Sequence, residues 1–108
     1  MNILRSESFD SDLERQFRWY LLQTGLDPVP AFELFERFAK AVDDALDFLG
    51  KNPEAARSRF HTFPDLPGIR SWRLHKPLHR FLIFYRCEGA DLWAERLLEG
   101  HRRLAGGS

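Results

Sequence analysis

Apolar positions follow a helical period in the first half of the chain and gather into short, dense runs in the second. Phe9, Leu13, Phe17, Tyr20, Leu21 and Thr24 fall on one face at helical spacing. Ser11 with Glu14 three residues on forms a capping-box pattern, and Gly25 can take the left-handed conformation that ends helices. A first helix is therefore predicted from Phe9 or Ser11 to Thr24. Asp27 followed by Pro28 starts a second helix, because the carboxylate accepts orphan amide protons and proline at the first helical position gives up no donor the helix needs. Ala31, Leu34, Phe35, Phe38, Ala41, Val42, Ala45, Leu46 and Leu49 then make a wide apolar stripe ending at Gly50. With only Gly25 and Leu26 between them, the two helices must pair as an antiparallel hairpin.

From Ile69 the pattern changes. Runs at Ile69 to His75, Arg80 to Arg86 and Leu92 to Leu98 are separated by turn-like breaks at His75 to His79 and Glu88 to Asp91, which is the pattern of an antiparallel meander. Phe81 to Tyr85 (FLIFY) is apolar on both faces, as in a central strand covered on both sides. Asn2 to Ser6 reads as a brief first strand. Lys51 to Gly68, with Pro53, Pro64 and Pro67, reads as a long connection carrying a helical turn at Glu54 to Arg59. Glu99 to Leu104 reads as one further helical turn, and Ala105 to Ser108 as a flexible end. The order is β-α-α-β-β-β: an α+β domain with a helical hairpin packed on a small, mainly antiparallel sheet. At 108 residues and 44% hydrophobic, the chain can bury one core, so residues 1–108 are expected to form a single domain.

Charge changes this picture. The net charge is zero, but Met1 to Ala56 carries six basic residues against eleven acidic ones, and Arg57 to Ser108 carries ten against five and all four histidines. An acidic helical side and a basic sheet side follow, and such local fields steer partners. Arg70, Arg73, Arg80, Arg86, Arg96, Arg102 and Arg103 punctuate the second half at spacings expected to gather many of them on one side or rim of the sheet. Cys87 is the only cysteine, so no internal disulfide is possible; it reads as a small filler at a strand end in a reducing compartment. The start, MNILRSESFDSD, lacks the apolar segment of a signal peptide, and no apolar run approaches the ~20 residues of a membrane span, so a soluble, cytoplasmic protein is expected.

Chemistry narrows next. His61, His75, His79 and His101 are the only imidazoles, and His75 and His79 sit across the Pro77 bend, so neither a metal site nor a cofactor is expected. There is no nucleophile elbow, phosphate-cradling glycine loop or paired Cys and His. Metal-free RNA cleavage needs a base, an acid and a cation at the phosphate; Arg73, Arg86, Arg96, His101 and Tyr85 supply those residue types. The favoured reading is structural: Tyr85 in the core or at its rim, and the arginines solvated or paired with Glu88, Glu95 and Glu99. Trp19 and Leu22 lie off the first stripe, and Phe32 and Phe48 flank the second, which marks either a partner groove or ordinary scattered apolar residues.

The order of elements, with GIRSWRLHKPLHRFLIFYR followed by LLEGHRRL, resembles the RelE/ParE superfamily of toxins from bacterial toxin–antitoxin modules, and within it the ParE-like branch. The likeness covers nearly the whole chain and rests on Arg70 to Arg73, Ile83 to Arg86 and Leu97 to Arg102 occurring in the right order at the right distances. RelE-like members cleave mRNA in the ribosomal A site and carry a basic cluster plus a His or Tyr near the C-terminus; ParE-like members lack that set and poison DNA gyrase. Here the last segment has Arg102 and Arg103 but no Tyr, and Glu99 stands where a His usually precedes the Gly, with His101 following Gly100 instead.

The resemblance implies a type II toxin of the kind that serves plasmid stabilisation, inhibiting gyrase without catalysis. Arg73, Arg80, Arg86, His101, Arg102 and Arg103 would face the target. A cognate, ParD-like antitoxin would hold the toxin in a higher-order hetero-oligomer, with Trp19, Leu22, Phe32 and Phe48 receiving an amphipathic antitoxin segment. The alternatives are a RelE-like endonuclease using Arg73, Arg86 and His101, and a non-toxic adaptor of the same fold.

Overall fold

The computed structural model describes residues 1–58 and 68–99, in the order β1 (Asn2–Arg5), α1 (Glu7–Gln23), α2 (Pro28–Lys51), β2 (Arg57–Ser58), β3 (Arg70–Arg73), β4 (Phe81–Glu88) and β5 (Asp91–Glu99). The expected α+β class holds, with one strand more than expected. Where a helical turn was expected at Glu54 to Arg59, Arg57 and Ser58 instead pair antiparallel with Ser71 and Arg70 of β3. Positions 100–104 of the second expected turn and the end at 105–108 lie outside the described residues, and Glu99 belongs to β5.

Helix ends show which local signals prevail. α1 starts at Ser6, whose hydroxyl accepts from the Phe9 amide at 3.0 Å and donates to the Glu95 carbonyl at 2.8 Å. Ser11 and Glu14 match the capping-box pattern but sit inside the helix, so the cap is set earlier by a serine that also bonds the sheet. At the other end Gly25 acts as expected. Its φ is +67°, its amide donates to Leu22, and the Leu26 amide donates to Leu21 at 2.7 Å, the paired bonds of a Schellman stop. Asp27 caps α2 by accepting from Val29 at 3.1 Å. Gly50 does not end α2, which runs on to Lys51 and is capped at Asn52. The glycine instead sits under Ile3: a Cβ there would stand 2.8 Å from Ile3 Cδ1, so the bare position leaves room for that side-chain tip where β1 meets α2. Arg5 of β1 also pairs with Asp43 of α2.

The sheet order is β1-β5-β4-β3-β2, with β1 parallel to β5 and every other pair antiparallel. β4 is central, and all five residues of Phe81 to Tyr85 are buried, as their two-sided apolarity predicts. Successive strand residues face opposite ways. Phe81, Ile83 and Tyr85 pack with Phe9, Phe38, Val42 and Leu46 of the helices, and Leu82 and Phe84 form a second cluster with Ile69 and Leu98. Edge-to-face contacts of Phe17 with Phe35 at 5.4 Å and of Phe38 with Phe81 at 4.9 Å bind the helices to each other and to the sheet.

β5 departs from strict alternation. Phe84 pairs with Arg96 but Tyr85 pairs with Ala94, so Glu95 is an inserted residue and the strand bulges there. Leu92 and Ala94 before the bulge and Leu97 after it all join the helix-facing core. Without the bulge, a period of two would send Arg96 inward in place of Leu97.

Asp12 of α1 meets β5 at this point. Its side chain is 1% exposed, and its carboxylate accepts from Arg96 Nε at 2.9 Å, Arg96 Nη2 at 3.0 Å, the Leu97 amide at 2.8 Å and Arg15 Nη1 at 3.1 Å. The bond to Asp12 raises the pKa of the Arg96 guanidinium further. A buried carboxylate is tolerable only when satisfied in this way. Tyr85 anchors the opposite side of the core: it is fully buried, and its hydroxyl donates to the Pro53 carbonyl at 2.7 Å, tying the chain after α2 to the central strand. Burial pushes its pKa up to about 12, against a smaller downward pull from Arg70.

Two outcomes are expected. In urea unfolding, Asp12→Ala loses about 3 kcal/mol, and a double-mutant cycle with Arg96→Ala gives a coupling of about 2 kcal/mol; additive losses would show that the pair does not act as a unit. Because the folded-state pKa of Tyr85 lies above its unfolded value near 10, the folded chain holds a proton that the unfolded chain releases. Its contribution is therefore complete below about pH 10 and declines towards pH 12. Thermal melts across that window should fall more steeply for the parent than for Tyr85→Phe, and parallel curves would contradict the assignment.

Candidate functional site

The β3–β4 connection, residues 74–80, is a tightly tied loop. The Leu74 amide donates to the Phe81 carbonyl at 3.0 Å, Leu78 to His75 at 2.9 Å and Phe81 to Leu78 at 3.0 Å, with a cis bond between Lys76 and Pro77. Leu74 and Phe81 are buried and Leu78 packs against the same core, so the intervening polar side chains project outward. Arg73 donates from Nη1 to the His79 carbonyl at 2.5 Å, and Arg73, His75, Lys76, His79 and Arg80 are all exposed.

Among the described residues, the other arginines of the second half are spread along the sheet, and most are engaged. Arg86 donates from Nε to Glu95 at 2.5 Å and from Nη1 to Glu88 at 2.6 Å, and lies 5.9 Å from the Trp93 ring centroid. The bonds to Glu95 and then Glu88 raise its pKa. Arg70 donates to the Ala56 carbonyl at 2.8 Å. Arg96, expected to be solvated or paired with a glutamate, is held by Asp12. Arg73 lies opposite Leu82, four residues along β4 from Arg86, or about 13 Å of strand. Of the six residues expected to face a target, Arg73 and Arg80 share the loop, Arg86 stands apart, and His101, Arg102 and Arg103 lie outside the described residues, as do Arg59 and His61.

For RNA cleavage the described residues supply little. Tyr85 is a buried donor with a raised pKa, which agrees with its reading as a core residue, and Arg86 is held by two carboxylates. Cys87 is at a strand end as expected but exposed rather than filling the core, and partial burial pushes its thiol pKa up, away from reactivity. Among the described residues no group of three His, Cys, Asp or Glu is placed to hold a metal ion, and no helix is long and apolar enough to cross a membrane.

Trp19, Leu22, Phe32 and Phe48 are all exposed, but the fold divides them. Phe32 and Phe48 are sixteen residues apart on α2, about 160° out of phase. Phe48 stacks on Trp72 of β3 at 5.2 Å and lines an apolar groove of about 650 Å³ between α2 and the β3–β4 hairpin, floored by Phe38, Ala41, Ala45 and Leu74. Arg37, His75 and Lys76 stand on its rim with Asp44, which Lys40 engages at 3.0 Å. Phe32 borders a smaller cleft of about 360 Å³ on the other side, with Leu13, Phe17 and Phe35. Trp19 packs edge-on against Tyr20 at 5.6 Å, and Leu22 is exposed near the end of α1. Trp72, Ala41 and Ala45 were not singled out by sequence as a site. The legible signal was the width of the α2 stripe, broader than one core-facing face requires.

No family model matches the sequence, and no curated protein matches it. In structure the chain is similar to one described as "Chromosomal ParDE TA system from P. aeruginosa", with a TM-score of 0.66 and 19% sequence identity, over 92% of this chain and 95% of that one. At that identity the likeness establishes a shared fold, a helical hairpin on a mainly antiparallel sheet, over nearly the full length of both chains.

Proposed function

We propose that this chain is the toxin component of a type II toxin–antitoxin module, acting on DNA gyrase without catalysis of its own and held inactive by a ParD-like antitoxin. The observation that carries this reading is the shared fold with a chain of a ParDE system, matched almost end to end in both proteins. The state of the polar residues favours a binding role over RNA cleavage. Tyr85 is buried and engaged with Pro53, Arg86 is neutralised by Glu95 and Glu88, and Arg73 stands about 13 Å along the sheet from it.

The α2 groove is the seat that best fits an antitoxin segment. It offers an apolar floor, the aromatic pair Phe48 and Trp72, and a rim on which Arg37 and Lys76 have no carboxylate partner among the described residues. An amphipathic segment with acidic flanks matches both features. Phe48 of the four residues first considered for this role belongs to the groove; Phe32, Trp19 and Leu22 extend apolar surface elsewhere on the hairpin.

The purified chain, freed of antitoxin, should reduce supercoiling by gyrase or trap cleaved DNA while leaving translated message intact. Codon-positioned mRNA cuts that vanish in His101→Ala or Arg86→Ala would establish the endonuclease instead, and normal colony growth on expression alone would favour the adaptor. Ala45→Glu, which places a carboxylate on the groove floor, should weaken capture of a co-expressed ParD-like antitoxin at least about tenfold without loss of gyrase inhibition, since a buried unpaired charge is costly at an interface. Unchanged capture would move the antitoxin seat off the groove.

A further inference from the structure

We infer that the β3–β4 hairpin is a contact surface for the phosphate backbone of duplex DNA, with Arg73, Lys76 and Arg80 as its cations. The inference goes beyond the toxin reading, because it assigns a nucleic-acid partner to this chain itself.

The first observation is where unneutralised charge remains. Arg5, Arg15, Arg18, Lys40, Arg86 and Arg96 each have a carboxylate within 4.0 Å. Arg73, Lys76 and Arg80 have none among the described residues; nor do Arg37, Lys51 and Arg70, but those three are separated along the chain, and Arg70 is held by the Ala56 carbonyl. No Asp or Glu occurs anywhere from Leu66 to Cys87, so the whole hairpin is free of acidic residues. The acid nearest in register is Glu99, on β5 opposite Phe81. Three permanent cations and the imidazoles of His75 and His79 thus share one short loop.

The second observation is preorganisation. Leu74, Leu78 and Phe81 hold the loop to the core, three backbone hydrogen bonds close it, and Arg73 is fixed to the His79 carbonyl, its other donors having no partner among the described residues. Ordering entropy that a mobile basic tail would lose on binding is already spent in folding.

The third observation selects the partner. Single strands are held by aromatic side chains on which unstacked bases lie, interleaved with cations. Here the aromatic neighbour, Trp72, is half-buried and engaged by Phe48 at 5.2 Å, and the exposed aromatics Trp19 and Phe32 sit on the helices. Its only rings are the imidazoles of His75, which lies against Trp72 at 6.2 Å, and His79, so the loop presents charge without a large aromatic platform. That suits the regular phosphate rows of a duplex, read without sequence preference.

The test is fluorescence anisotropy of the full chain with a labelled duplex of about 30 base pairs and arbitrary sequence, titrated at salt concentrations from about 50 to 200 mM. Three neutralised phosphates predict a log–log salt slope of about −2.7, a roughly 40-fold loss of affinity across that range. Arg73→Gln/Lys76→Gln/Arg80→Gln should abolish the slope, and Lys76→Gln or Arg80→Gln alone should each reduce it by about 1, which keeps the test decisive if the triple variant folds poorly. Arg18→Gln, on α1 and paired with Glu14, should bind as the parent does. Absence of binding at the lowest salt, an unchanged slope in the single variants, or at least tenfold tighter binding to a single-stranded RNA of equal length would overturn the assignment. Gyrase inhibition is measured separately, so failure here and failure of the toxin reading are distinguishable.

Discussion

A buried carboxylate where α1 crosses β5 sets the geometry of the domain. Asp12 needs donors from outside its own helix, and it finds them only where the bulge at Glu95 brings Arg96 and the Leu97 amide together. Satisfying that carboxylate fixes α1 along β5, which puts Phe9 and Leu13 over the sheet and leaves α2 to pack beside α1 through Phe35 and Phe38. The bulge serves two needs at once, since the shift that presents donors to Asp12 also returns Leu97 to the core. Neither residue type alone would specify this: a buried Asp without the bulge would keep only Arg15, and a bulge without the Asp would leave the Leu97 amide and the Arg96 guanidinium without this acceptor.

The same pairing logic sorts the basic half of the chain. Arg96 and Arg86 of β5 and β4 are neutralised by carboxylates, Asp12 for the first and Glu95 and Glu88 for the second, while Arg70 of β3 is held by the Ala56 carbonyl. The hairpin that closes β3 onto β4 has no acid to offer, so charge persists there. Beside it, small residues of α2 open a groove that larger ones would have filled, with Trp72 and Phe48 at one wall. Charge and apolar surface thus meet along one side of the molecule, contributed by elements from both halves of the sequence.

Much of this was legible from residue pattern. The Asp27–Pro28 start, the Gly25 stop and the two-sided apolarity of Phe81 to Tyr85 are local signals, and each decided its element. Signals failed where tertiary contacts override them. Ser6 rather than Ser11 caps α1 because it also reaches Glu95, and Gly50 lies within α2 under the Ile3 side chain rather than at a helix stop. The bulge has no signature in DLWAERLLE, where alternation could continue through Arg96. For the same reason, arginine spacing could not show which guanidiniums meet carboxylates: Asp12 lies 84 residues from Arg96. Trp19, Leu22, Phe32 and Phe48 are exposed, as their positions off the stripes imply, but Leu34 of the second stripe is exposed as well, and helical phase divides Phe32 from Phe48.

The parallel pairing of β1 with β5 bears on how the chain is made. Asn2 is synthesised well before its partner Asp91, so the first strand has no place in the sheet until β5 has emerged. Asp12 waits as long for Arg96. Non-local closure of this kind delays folding until the chain is nearly finished. A chain cut before β5 therefore loses at one stroke the partner of β1, the neighbour of the central strand and the donors that satisfy Asp12.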